Sequence, residues 1–263
     1  MKKLDQFENS GIKVLFSDID DTITTKGKLE AKAYSAIWEL AKNGVQVVPI
    51  TGRPAGWCEM IARFWPVAGV VGENGALYFR YLNKSKKMVR YFSIDEASRL
   101  DNAKKLKAIK DEVLIKVPGS AIASDQFTRL FDLAVDFCED VPPLQKSDIK
   151  KITDIFIRHG ATVKVSSIHV NGWFGNYNKL SACKEFCRRE LKWELADHLD
   201  EVAFIGDSPN DETMFGFFKH SFAVANIQRF AKDLRNQPAY VTPSSAGDGF
   251  SELAKKLLQS RSY

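Results

Sequence analysis

The sequence predicts an α/β fold: a doubly wound parallel sheet interrupted by an inserted α+β domain. Three observations carry that prediction. Short apolar runs alternate with amphipathic stretches up to about Val71, the signature of strand-helix-strand units. The rhythm then breaks into hairpin-like and charged helical segments, and it resumes after Gly172. At 263 residues the chain suits one large domain or two of moderate size. Residues 1–93 and 174–263 are expected to build one discontinuous core, and residues 94–173 the insertion.

Taken in order, Val14 to Phe16 reads as a buried strand, and Leu29, Ala33, Ile37, Leu40 and Ala41 then recur at helical spacing. Asn43-Gly44 ends that helix, because glycine tolerates the left-handed conformation common just past helix C-termini. Val45 to Ile50 is the second strand, Pro54 suits the first turn of the helix that follows, and Val67 to Val71 is the third strand. Ala76 to Tyr81 and Met88 to Ser93 flank Lys84-Ser85-Lys86-Lys87, which predicts an antiparallel hairpin with a solvated tip. Within the insertion, Ala161 to Val165 and Ser167 to Val170 are β-rich. Leu180, Cys183, Phe186, Cys187 and Leu191 mark a helix, while Val202 to Ile205 and Phe222 to Val224 mark two more buried strands. Trp57, Phe64, Trp65 and Phe131 are expected in the core.

Composition narrows the class. Hydrophobic residues make up 44% and charged residues 27%, as in ordinary globular proteins rather than disordered or membrane ones. No apolar run approaches the ~18 residues of a membrane span, and Met1-Lys2-Lys3 does not open an apolar signal segment. The expectation is a cytoplasmic protein with no membrane partner. Cys58, Cys138, Cys183 and Cys187 do not make a disulfide framework in a chain this long, so they are expected to be core thiols. The net charge of +5 suits a small anionic substrate. Lys and Arg are scattered, so no nucleic-acid partner is expected.

The chemistry concentrates where strands end. Asp18-Ile19-Asp20-Asp21-Thr22 follows the first strand directly and delivers Asp18 and Asp20, two residues apart, from a buried element. Side-by-side carboxylates in such a place cost free energy unless a cation or a shared proton compensates them. Thr51-Gly52-Arg53 follows the second strand and offers a hydroxyl, a free backbone N–H and a cation to an anion. Lys179 begins the helix after the insertion, and Gly206-Asp207-Ser208-Pro209-Asn210-Asp211 follows a later strand with two more carboxylates. Taken singly, each is read as a turn, a helix cap or a surface lysine. Their ordered recurrence at element ends favours a catalytic site.

Those four segments, in that order, resemble the motifs of the haloacid dehalogenase superfamily of phosphohydrolases: Asp-x-Asp-x-Thr, a strand-terminal Ser/Thr, a Lys, and Gly-Asp-x-x-x-Asp. The resemblance spans both halves of the core. It implies a Rossmann-like core and a Mg2+-dependent phosphatase that acts through an aspartyl phosphate. Asp18 would attack phosphorus, and Asp20 would protonate the leaving oxygen and then deprotonate water. Thr51, Gly52, Arg53, Lys179 and Asn210 would bind the phosphoryl group and the rest of the substrate. Asp18, the backbone carbonyl of Asp20, and Asp207 would hold the metal, with Asp211 behind them. About 30 residues separate Asp18 from Thr51 and more than 100 separate Thr51 from Lys179, so the insertion corresponds to the family's type-2 cap. Glu73-Asn74-Gly75-Ala76 is similar to a segment common in that branch; otherwise it is a tight turn. His169, Asn171 and Trp173, where the insertion rejoins the core, either face the substrate or are simply packed.

The branch implies a small phosphorylated substrate, with a sugar phosphate favoured. Leu180 stands where a glycine is usual after the lysine. A sugar phosphomutase, or a silent binding protein on the same fold, remain the alternatives.

Overall fold

A computed structural model describes residues 1–8, 11–166 and 168–259; Ser167, part of a β-rich piece above, lies outside them. The first half of the chain runs β1 (Lys2–Lys3), β2 (Val14–Asp18), α1 (Ala31–Lys42), β3 (Gln46–Ile50), α2 (Ala55–Phe64), β4 (Val70–Gly72), β5 (Leu77–Leu82), β6 (Lys87–Phe92) and α3 (Glu96–Lys116). There follow β7 (Ala121–Ile122), β8 (Asp132–Asp136), α4 (Lys146–Arg158), β9 (Thr162–Val165), β10 (His169–Trp173), α5 (Lys179–Phe186), β11 (Val202–Gly206), α6 (Glu212–Phe217), β12 (His220–Ala223), β13 (Tyr240–Val241) and α7 (Ala246–Gln259).

The larger sheet has the order β1-β13-β12-β11-β2-β3-β4-β5-β6. Its strands from β1 to β4 in that order pair in parallel, and the β5–β6 hairpin extends it antiparallel. Every residue of β2 is buried, which is what a strand covered on both faces requires. Val14 and Phe16 point to one layer, where Cys183 and Phe186 of α5 and Met214 and Phe215 of α6 pack. Leu15 points to the other, against Ile37 and Leu40 of α1 and Phe250 and Leu253 of α7. The chain winds outward from β2 through β3 and β4, and on the other side through β11, β12 and β13. The reversal falls between β2 and β11, and at such a switch point the loops leaving the strands diverge and open a crevice.

The second sheet, ordered β7-β8-β10-β9, is antiparallel throughout. One face, with Leu133, Val135 and Val170, packs on Ile109 and Val113 of α3 and on Ile152, Ile155 and Phe156 of α4. Side chains alternate across a strand, so His169, Asn171 and Trp173 share the opposite face, with Lys164 directly across from Asn171. That face is turned toward the crevice.

Three expectations need correction. Trp57 and Phe64 are 41% and 68% exposed. The inward face of α2 is Ala55, Cys58, Ile61 and Ala62, and residues 57 and 64, seven apart, lie together on its outer face. The third strand begins at Val70 rather than Val67. Phe131 is buried and Trp65 partly so. All four cysteines are free thiols, three of them buried. No helix among the described residues is long and apolar enough to cross a membrane.

Candidate active site

Sheet register brings the acidic groups together. Ser17 on β2 lies opposite Ile205 on β11, and Asp18 lies opposite Ile50 on β3. The loops that begin with Asp18, Thr51 and Asp207 therefore leave three adjacent strands at the same edge. One carboxylate oxygen each from Asp18, Asp207 and Asp211 lies within 4.8 Å of the others. Lys179, the first residue of α5, reaches into this group: its Nζ donates to Asp18 Oδ1 at 2.6 Å and to Asp211 Oδ1 at 2.8 Å. The Asp207 N–H donates to the second Asp211 oxygen at 3.1 Å. Both Asp211 oxygens are thus committed, while Asp18 Oδ2 accepts no hydrogen bond among the described residues.

Two glycines permit these approaches. A Cβ on Gly206 would sit 2.2 Å from Asp211 Oδ2, and one on Gly75, whose φ is +106°, would sit 2.2 Å from the Asn178 carbonyl. Gly75 lets the Glu73–Gly75 turn press on the start of α5, and so seats Lys179. Asn178 caps that helix by accepting from the Ser181 N–H at 2.9 Å. Gly206→Ala is expected to displace Asp211 and cost about 2 kcal/mol of stability, read as a lower urea midpoint, with a loss of activity larger than the loss of fold.

The electrostatics follow from three carboxylates and one lysine in a dry place. Burial, with Asp211 and Asp20 adding to it, pushes Asp18 up to about 7 even though Lys179 pulls the other way. Burial and the charges of Asp18 and Asp211 push Asp207 up to about 9. Burial works against the charge of Lys179, but Asp18 and Asp211 outweigh it and hold the ammonium above the usual lysine range. The donor set fits magnesium: hard oxygen ligands, buried, with more negative charge than the lysine neutralises. Asp18 and Asp207 have lone pairs to give, and each Asp211 oxygen already accepts one hydrogen bond, which sets Asp211 behind them. The Asp20 side chain is turned elsewhere, so only its backbone carbonyl could join them.

Asp20 is held by Arg53. The Arg53 Nε lies 3.2 Å from both Asp20 oxygens, and an Nη donates to Asp20 Oδ1 at 3.0 Å. The other Nη donates to Glu139 Oε1 at 3.2 Å, and the guanidinium lies over the Trp57 ring, 4.6 Å from its centroid. Thr51 is buried with its hydroxyl oxygen accepting from the Arg53 N–H at 2.9 Å, which leaves its O–H proton to donate. Its buried side chain does not line the cavity described next.

A cavity of about 410 Å³ lies between the strand ends and the second sheet. Asp18, Asp20, Gly52, Arg53, Lys179, Asp207 and Asn210 line it from the core side, and Lys164, His169 and Asn171 from the other. Trp173 is packed instead in the apolar cluster around α2. The Asn210 amide donates to the Val165 carbonyl at 2.9 Å and so ties its loop to β9. Burial lowers the pKa of His169, opposed by Glu139, whose Oε2 is 2.9 Å from its Nε2.

Sequence reasoning missed the groups that join the two sheets. Arg129, fully inside the protein, pairs with Asp125 and Asp132 and donates to the Gly52 carbonyl at 2.9 Å. The buried Glu73 carboxylate accepts from the N–H groups of Ala55, Leu130, Phe131 and Asp132 at 2.7 to 3.2 Å. Burial and Asp132 push Glu73 up to about 7, against those hydrogen bonds. Glu73→Ala would leave four donors without their acceptor, at a cost of about 3 kcal/mol or more, measurable as a fall in the urea midpoint. Scattered charges such as Asp125, Arg129 and Asp132 carry no periodic signal; only the Glu73-Asn74-Gly75 turn could have pointed to this seam.

A family model of haloacid dehalogenase-like hydrolases matches residues 15–126 and 146–253. A phosphoglycolate phosphatase from Methanobrevibacter smithii is 27% identical over 92% of this chain and 96% of its own length. One from Methanosarcina mazei is 27% identical over 95% of this chain and 98% of its own. The structure of a HAD/COF-like hydrolase from Plasmodium vivax superposes with a TM-score of 0.71 at 19% identity, covering 98% of this chain and 99% of that one. With the family model matched over most of the chain and the same fold found across whole chains, this chain belongs to the haloacid dehalogenase-like hydrolases.

Proposed function

We propose that this phosphoric monoester hydrolase cleaves a small phosphate ester in two steps, with Asp18 as nucleophile, Asp20 as proton carrier and magnesium as cofactor. The observation that carries the reading is Lys179 bridging Asp18 and Asp211 beside Asp207, at the floor of the cavity. Asp18 Oδ2 is the oxygen free to attack. Its bond to phosphorus forms as the bond from phosphorus to the ester oxygen breaks, and Asp20 gives that oxygen its proton. Asp20 then takes a proton from water as the water oxygen attacks phosphorus, and the Asp18–phosphorus bond breaks to release phosphate. Lys179 fixes the other Asp18 oxygen and, with the Gly52 N–H, balances charge on the phosphoryl oxygens, while Thr51 holds the turn that presents Gly52 and Arg53. Magnesium held by Asp18, the Asp20 carbonyl and Asp207 would offset the carboxylate crowding and polarise the phosphoryl group.

A sugar phosphate is the first candidate substrate. The names of the two phosphatase relatives make phosphoglycolate the second. The test is phosphate release across sugar phosphates, phosphoglycolate, nucleotides and pyridoxal phosphate, with magnesium and with EDTA. Magnesium-dependent release from one class is expected. A bisphosphate requirement without net phosphate release would select the mutase instead, and silence across the panel a binding protein.

A further inference from the structure

We infer that Glu139, on the segment after β8, is a positioning residue for the reaction: through Arg53 it aims the Asp20 carboxyl at the leaving oxygen. The inference rests on the phosphatase reading and adds a residue that no motif contains.

Asp20 sits two residues past the end of β2 on a loop, and its side chain is about one-third exposed at 34%. Nothing in its own loop fixes its carboxyl; Arg53 does, by gripping both oxygens. Arg53 is itself held on two sides, by the Trp57 face and by Glu139. Asp125 stands further off, 4.0 Å from the same Nη. Glu139 in turn is anchored away from the core: Asp136 at the end of β8 accepts its backbone N–H at 2.8 Å, and its second oxygen meets His169 on β10. Asp20, Arg53 and Glu139 therefore form one hydrogen-bonded chain from the catalytic loop to the segment that follows β8, and Glu139 lies beside His169 of the sheet that roofs the cavity.

A long, flexible arginine has many rotamers, and a two-sided grip selects one of them. Without Glu139 the guanidinium keeps its attraction to Asp20 but loses the fixed point that sets where the pair lies. A proton donor displaced by about 1 Å can lose on the order of 10²-fold in rate. The chain exists only while the second sheet sits over the core, so the acid is aligned only when the site is covered.

The test compares two esters in wild type and Glu139→Gln. One is the best alkyl phosphate from the substrate screen; the other is p-nitrophenyl phosphate, whose leaving group departs without a proton. The parameter is kcat/KM, which reports the steps through the first loss of leaving group. Glu139→Gln is expected to lose at least about tenfold on the alkyl ester and less than about twofold on the aryl ester. In an Asp20→Asn background it is expected to cost nothing further on either ester, because a residue acting only through Asp20 has nothing left to aim. Equal losses on both esters, no loss on the alkyl ester, or additive losses with Asp20→Asn would overturn the inference. A wild-type enzyme that released phosphate from neither ester would instead overturn the phosphatase reading itself.

Discussion

Asp18→Asn is expected to abolish phosphate release, by at least about 10³-fold in kcat, and at the same time to raise thermal stability. The two effects share a cause. An amide has the shape of the carboxylate but cannot form the aspartyl phosphate, so the two-step route is closed. It also carries no charge, and the Asp18 charge is unwelcome in the folded protein, where burial and its acidic neighbours push its pKa up to about 7. At pH 8 without magnesium, removing it is expected to stabilise by about 1–2 kcal/mol, since the amide oxygen can still accept from Lys179 and only the ionic part of that contact is lost. Phosphate release and thermal melting on the same preparations check both halves. Turnover within tenfold of wild type would end the covalent mechanism, whatever the melting temperature did.

The acidic half of the site was legible in the sequence because it is local. Asp18, Thr51 and Asp207 each stand one or no residue beyond an apolar run, and parallel strands beside one another deliver such positions to a common edge. Lys179 was legible from its place at a helix start. The other half depends on contacts across the seam between the sheets, to which periodicity is blind. The alternation His169, Asn171, Trp173 identified a face, but not that Glu139 would lie between His169 and Arg53, nor that Trp173 would pack in the cluster around α2. Arg53 and Asn210 were read as ligand-binding groups from their loops alone. Both line the cavity, and the fold also engages the first with Asp20 and Glu139 and the second with β9, which the loops alone do not reveal. Trp57 and Phe64 failed as core residues for a simpler reason: hydrophobicity was weighed without the helical phase that puts Cys58 and Ile61 inward.

Lys179→Met, the converse change, removes the one cation among three carboxylates and is expected to destabilise the metal-free protein by about 3–5 kcal/mol near pH 8, because uncompensated buried charge is left behind. The loss should depend on pH in a definite direction. Asp18 and Asp207 have folded-state pKa values of about 7 and about 9, against 3.8 for free aspartate. Between 3.8 and those values the folded chain holds more protons than the unfolded one, so their contribution to stability falls as pH rises through that window. Lys179 opposes this fall, since its own raised pKa keeps it charged throughout and its ion pairs lower the cost of ionising Asp18. Without it the carboxylates keep their protons to higher pH and the slope steepens. Urea unfolding in EDTA at pH 5.5 and pH 8.5 should therefore show a small deficit for Lys179→Met at the lower pH and a large one at the higher. Magnesium at 100 times its dissociation constant should restore about 2.7 kcal/mol in either protein, provided it binds only the folded chain. A deficit that was the same at both pH values would mean that the lysine stabilises by packing its stem, and that the crowding of Asp18, Asp207 and Asp211 is not what makes this site receptive to a divalent cation.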